Sequence, residues 1–145
     1  MQKALPIRVI LGFVAAVIAV FTFHQGMILL LRETGMLGIP ASAKVWNFAA
    51  NPNGVPAVLN LAFWGGLYGA VFGALAPRFT WPLWLCGLLT GFTAALVGFF
   101  IVAALKGQPI GGGWVLMSWV RSFTINGCFG LGLGLIYPLI ARRAS

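Results

Sequence analysis

The chain has 145 residues, 61% of them hydrophobic and 7% charged, with nine Lys and Arg against a single acid and a formal net charge of +8. A soluble domain carries about 45–50% apolar and about 25% charged residues, so this composition excludes an ordinary soluble fold and describes an integral membrane protein. The basic excess taken alone would suit nucleic acid, but Lys3, Arg8, Arg32, Lys44, Arg78, Lys106, Arg142 and Arg143 all sit at the ends of apolar runs. Lipid headgroups neutralise bases placed there, and nucleic acid is not an expected partner.

Four apolar runs follow one another, about Val9 to Leu31, Pro56 to Ala76, Trp81 to Leu105 and Trp114 to Ile140. Each reaches the roughly 20 residues that cross hydrocarbon as a helix, whereas barrel strands would be about 9–11 residues long and alternate in polarity. The expected fold is an all-α membrane protein, one domain over residues 1–145 with four transmembrane helices. The first run, with Ala41-Ser42-Ala43 downstream, has the outline of a signal peptide. Its apolar core exceeds the usual span of about 7–15 residues and the small-residue triplet lies well beyond it, so a retained helix is expected.

The loop from Arg32 to Val55 carries Lys44-Val45-Trp46-Asn47-Phe48, then the turn signal Asn51-Pro52-Asn53-Gly54 ahead of Pro56. Trp46 and Phe48 read as headgroup anchors, with a lid over an outward cavity as the alternative. In the second run Gly66, Gly69, Gly73 and Pro77 set a spacing that Gly127, Gly130, Gly134 and Pro138 repeat in the fourth. Gly12-Phe13-Val14-Ala15-Ala16 in the first run similarly matches Gly91-Phe92-Thr93-Ala94-Ala95 in the third, which suggests two parallel copies of one helical hairpin. G-x-x-x-G spacing lets helix backbones approach closely, either within the chain or against a second copy. The link Pro77-Arg78-Phe79-Thr80 is short enough to force antiparallel neighbours, and Gly and Pro break the connection from Lys106 to Gly113. Trp81 and Trp84 at one membrane face, and Trp114 and Trp119 at the other, read as aromatic belts. Cys86 and Cys128 stand alone in apolar spans and read as packing residues, with no redox pair or metal motif.

Four spans put both termini on one side, and the distribution of Lys and Arg puts that side in the cytoplasm of a bacterial inner membrane. The fourth span turns polar at Ser118, Arg121, Ser122, Thr124 and Asn126, with Ser118, Ser122 and Asn126 in one stripe and Arg121 at its edge. By a rise of ~1.5 Å per residue Arg121 lies roughly 10 Å inside the outer boundary, and His24 and Gln25 of the first span reach a similar depth. Asn60 of the second span falls near the same level. The expected site is therefore a small outward-facing cavity in which Arg121, His24, Gln25, Asn60, Ser122 and Asn126 bind or help transport a small anionic or polar solute. An ionisable group within a span costs about 2.5–3.5 kcal/mol on insertion scales and is a functional candidate for that reason.

The chain's only carboxylate side chain, Glu33, lies beside Arg32. Three partners are open to Arg121: water and lipid reached by snorkelling, an acid in the chain or on another subunit, or a bound anion. His24 reads as an interhelical hydrogen-bonding group, with a proton carrier or ligand as the alternative. A single histidine cannot supply both axial ligands of a haem, and neither a cofactor nor a metal is expected. No span holds the Asp or Glu on which proton- or sodium-coupled transporters are commonly built. H-E-x-x-H, a P-loop and an Asp to complete a triad around His24 are also missing, so the chain does not read as an enzyme.

Phe23-His24-Gln25-Gly26, Asn53-Gly54-Val55-Pro56 and Phe63-Trp64-Gly65-Gly66-Leu67-Tyr68-Gly69 resemble segments of small four-span inner-membrane proteins of proteobacteria. The resemblance covers the first half of the chain and the second half only in its span pattern, implies a bacterial inner membrane, and carries over no activity. Beside solute binding, the alternative function is a non-catalytic accessory subunit of a larger membrane complex, with the glycine stripes and Arg121 docking on partner helices. Homo-oligomerisation through the same stripes is compatible with both.

Overall fold

The computed structural model describes residues 3–143, and its regular elements are helical apart from one isolated bridge between Ala50 and Pro56. Four helices are long and apolar enough to cross a membrane: α1 (Leu5–Thr34), α2 (Ala57–Arg78), α3 (Leu83–Leu105) and α4 (Leu116–Arg143). The protein is thus a multi-pass, all-α membrane protein. Helix α1 extends past its apolar run at both ends. Pro6 in the first turn is pre-set for helix entry, and Gly35, at φ 66°, closes the far end with its N–H on the Arg32 carbonyl at 3.3 Å. Hydropathy stops counting at charged residues, but a helix carries them into the headgroup layer without losing a backbone bond. Pro56 and Pro82 immediately precede α2 and α3, Pro77 lies in the 3-10 turn that ends α2, and α4 runs on through Pro138.

Helix α1 packs along α2, α4 along α3, and the two hairpins join where α1 meets α4. The tightest approaches are backbone on backbone. A Cβ placed on Gly69 would overlap the Gly12 carbonyl, and one on Gly73 would overlap the Arg8 carbonyl. In the second hairpin a Cβ on Gly130 would overlap the Gly87 carbonyl, and one on Gly91 the Asn126 carbonyl. Lipid tails are as apolar as the helices, so association gains little from hydrophobic burial and relies on such contact. Between the hairpins lies a small core of Ala15, Ala16, Ala19 and Val20 from α1, Phe72 from α2, and Phe129, Leu133 and Tyr137 from α4. The Phe72 and Tyr137 rings meet edge to face with centroids 5.6 Å apart. Facing outward are Ile10, Val14 and Ile18 on α1, Leu59, Phe63, Trp64 and Val71 on α2, and Leu96 and Ile101 on α3. So broad an apolar surface suits lipid rather than water.

Two features shape the end of the bundle where the α1–α2 and α3–α4 loops lie, called here the loop end. Helix α1 widens into a π turn at Val20–His24, and α3 does so at Gly98–Val102. A π turn disturbs the i→i+4 ladder and leaves a carbonyl in want of a donor. The second feature is a mismatch in length, since α1 has 30 residues and α2 has 22. At 1.5 Å per residue α1 is roughly 12 Å longer, and the α1–α2 loop folds back along it to reach the start of α2. Val58 N–H then bonds the Asn47 carbonyl at 2.9 Å, and Asn51 N–H bonds that of Val55 at 2.8 Å.

Overpacking at the backbone contacts should be felt at once. Gly69→Val or Gly130→Val is expected to lower stability by about 1–3 kcal/mol, read as an earlier midpoint in SDS-induced unfolding. Gly98→Ala, whose Cβ would have no atom within 4 Å, is expected to leave the midpoint unchanged.

Candidate functional site

The polar side chains of the loop end are positioned by α1, α4 and the folded-back loop. Gln25 lies at the end of the π turn, is 4% exposed, and turns its Oε1 to the backbone N–H of Trp46 at 2.7 Å. The Trp46 indole N–H in turn donates to the Phe21 carbonyl at 2.9 Å, within the π turn. Trp46 holds φ at 47°, a left-handed conformation uncommon for a bulky residue. The two hydrogen bonds, to side chain and to main chain of the same helix, hold it there. Trp46 is therefore a strap fastened across α1, 37% exposed, rather than a ring lying free among headgroups.

His24 is 9% exposed; its Nδ1 lies 3.3 Å from Gln25 Nε2, and its ring meets Phe129 edge-on at 6.5 Å. Donation from the Gln25 amide to Nδ1 leaves the imidazole's proton on Nε2. Ser122 and Asn126 form a second local pair, with Asn126 Nδ2 donating to the Ser122 carbonyl at 3.0 Å and lying 3.4 Å from its hydroxyl. Asn60, in the first turn of α2, is exposed. Of the six candidate residues, hydrogen bonds thus join His24 with Gln25 and Ser122 with Asn126, while Arg121 and Asn60 bond to none of the others among the described residues.

Arg121 reaches out of α4 to the turn that follows α1. Its Nε donates to the Leu37 carbonyl, and its Nη2 lies against Gly38, where a Cβ would come within 2.7 Å of it. The turn is built to present that carbonyl. Gly35 and Gly38 take φ of 66° and 65° on either side of Leu37, itself at 53°. Glu33 is not the partner of Arg121, because it is engaged by Arg32 at 2.7 Å, with a second bond from Arg32 Nε at 2.9 Å. The guanidinium of Arg121 is half-buried, and its two amino groups carry no hydrogen bond or ion pair among the described residues. A planar fork of N–H donors in that condition is matched by a carboxylate or phosphate.

Among the grooves in the helical surface are two at helix seams. One of about 390 Å³ lies beside the α2–α3 link, between Arg78, Trp81, Cys86 and Thr90; the other, of about 300 Å³, lies between α1 and α4 and is lined by Phe23, Met27 and Cys128. None of the six candidate residues lines either one. Among the described residues no three of His, Cys, Asp and Glu come together as a metal site would need. At the α3–α4 loop, Trp119 donates from its indole to the Gly111 carbonyl at 2.8 Å and stacks on Trp114, with centroids 5.9 Å apart. It fastens its own loop much as Trp46 fastens the other.

Sequence reasoning missed the Leu37 carbonyl and the Trp46 strap. The glycines flanking Leu37 mark a turn but do not say which side chain will meet it, and no residue pattern announces a π turn. Trp46→Phe, which removes the indole donor, and Gln25→Leu, which removes the amide acceptor, are each expected to cost about 1 kcal/mol and to speed amide exchange across residues 43–50. Phe48→Ala, at a 60% exposed ring, is expected to leave that exchange unchanged in the same hydrogen–deuterium measurement.

Comparison with protein-family models, with curated proteins and with solved structures finds no match to this chain.

Proposed function

We propose that this is a non-enzymatic protein of a bacterial inner membrane, with both termini in the cytoplasm and the loop end facing the periplasm, and that it engages an anionic group at Arg121. The observation that carries this reading is the half-satisfied guanidinium. One nitrogen is fixed by the Leu37 carbonyl, the other two carry no hydrogen bond or ion pair among the described residues, and the chain's single acidic residue is already paired with Arg32. A fork oriented by a main-chain bond loses little further freedom on meeting an oxyanion, which favours binding over idle exposure.

Support for the orientation comes from charge. Lys3, Arg8, Arg78, Arg142 and Arg143 sit at the terminal end, while Glu33 offsets part of the charge of Arg32, Lys44 and Lys106 at the other. Transport across the membrane is the further step in this reading, and the backbone contacts at Gly12, Gly69, Gly91 and Gly130 leave it to a change of helix packing rather than to a standing pore. The matching glycine contacts in the two hairpins, and a π turn in the first helix of each, support an origin by duplication.

Purified protein is expected to gain about 3–6 °C in thermal midpoint at ten times the Kd of its anion, in a screen spanning inorganic anions, carboxylates and short-chain anionic lipids. Arg121→Gln is expected to abolish the gain. A screen in which nothing stabilises while a control protein responds normally sinks the reading, as does a response that survives Arg121→Gln. A stoichiometric second protein retained through purification in mild detergent, with no anion response, would instead favour the accessory-subunit role.

A further inference from the structure

The anionic group has a more specific identity within reach of the same geometry. Thr22, Phe23, Gly26, Met27, Leu30 and Cys128 line an open groove of about 300 Å³ between α1 and α4. Its walls are apolar apart from the Thr22 hydroxyl, which is engaged by the Ile18 carbonyl at 2.7 Å. Gly26 makes the floor: a Cβ there would meet nothing within 4 Å, so the space is left open by the absence of a side chain rather than filled by a neighbour. Below it Phe23 closes the groove by packing its ring over Gly132 of α4.

Arg121 stands over the other end. It precedes Cys128 by seven residues on α4, two turns of helix, so the two share a face and are separated by roughly 10 Å along the axis. The groove therefore rises between two transmembrane helices toward a guanidinium whose amino groups have no partner among the described residues. Apolar channel below and forked cation above match one molecule in two parts, an acyl chain and a phosphate. A free oxyanion would use the guanidinium and ignore the groove; an uncharged hydrocarbon would use the groove and ignore the guanidinium.

We infer that Arg121 and the α1–α4 groove together form a binding site for a glycerophospholipid, with its phosphate on the Arg121 amino groups and an acyl chain lying over Gly26 between Phe23 and Leu30. This rests on the anion-binding reading of Arg121 and narrows it to a lipid phosphate.

Native mass spectrometry of the protein in mild detergent, with dioleoyl phosphatidylglycerol added, tests it. The wild type is expected to retain one phospholipid. Gly26→Phe, whose Cβ would meet no atom within 4 Å and whose ring would fill the groove, and Arg121→Gln are each expected to reduce that occupancy at least fivefold. Leu30→Trp, at an exposed position on the same groove, is expected to act like Gly26→Phe and decides the matter if Gly26→Phe lowers the thermal midpoint. Inorganic phosphate at millimolar concentration is expected not to displace the lipid. If folded groove variants keep the lipid at wild-type occupancy, or if inorganic phosphate binds equally well with the groove open or filled, the phospholipid assignment falls while anion binding at Arg121 stands. If Arg121→Gln retains the lipid, both fall.

Discussion

The bundle depends on main chain touching main chain. Where Gly12 meets Gly69, and where Gly87 and Gly91 meet Gly130, there is no room for even one carbon between helices. In water a poor contact of this kind can be offset by burying apolar surface elsewhere, but within a bilayer the unpacked helices are already in an apolar solvent. Close approach supplies many weak dispersion contacts at once and is sensitive to a single methyl group. The larger side chains of the core, Phe72, Phe129, Leu133 and Tyr137, then fill the space between two hairpins whose own seams close main chain on main chain at these glycines.

A second constraint sets the loop end. Helix α2 is shorter than α1, so the chain must descend beside α1 before α2 begins, and a loop brought toward apolar surroundings must find partners for its backbone. Trp46 answers this by donating its indole N–H to the Phe21 carbonyl within the π turn of α1, and Gln25 at the end of that turn supplies an acceptor for the Trp46 amide. The buried glutamine, read alone, looks like a ligand-binding group. In place it performs the work of a second strand, satisfying a loop that has no sheet or helix to join. The polar residues of the first hairpin are in this way largely turned inward on the chain itself.

Hydropathy made the four spans legible, and the repeated glycine spacing pointed to the residues that the structure places at the seams. The ends of α1 were less legible, because a scale that penalises charge cannot register a helix carrying Arg8 and Arg32 into the headgroup layer. Depth along the helices also placed His24 and Gln25 near each other, and adjacent residues on one turn had little freedom to be otherwise. Depth alone could not fix direction: Asn60 shares the level of its presumed companions yet is exposed at the start of α2. The contacts that organise the loop end were illegible for a physical reason. Arg121 to Leu37, Trp46 to Phe21 and Trp119 to Gly111 all terminate on main-chain carbonyls, which every residue possesses, so acceptor identity leaves no trace in the sequence.

Charge balance then separates the two arginines of the loop end. Arg32 has the carboxylate of Glu33 and also donates to the Ala43 carbonyl at 3.3 Å, so it serves the loop. Arg121 has a neutral carbonyl on one nitrogen and, among the described residues, no charged partner on the others. A carbonyl orients a guanidinium but does not neutralise it, and with Glu33 already engaged the charge of Arg121 is left to water, lipid or another anion. In a membrane protein the nearest abundant anion is the phosphate of the surrounding lipid, and a groove between helices gives its acyl chain a place to lie. Under the phospholipid proposal the open floor at Gly26 is such a place: the apolar gap and the cation without an acid partner lie two turns apart on one face of α4, as the two parts of one lipid would require.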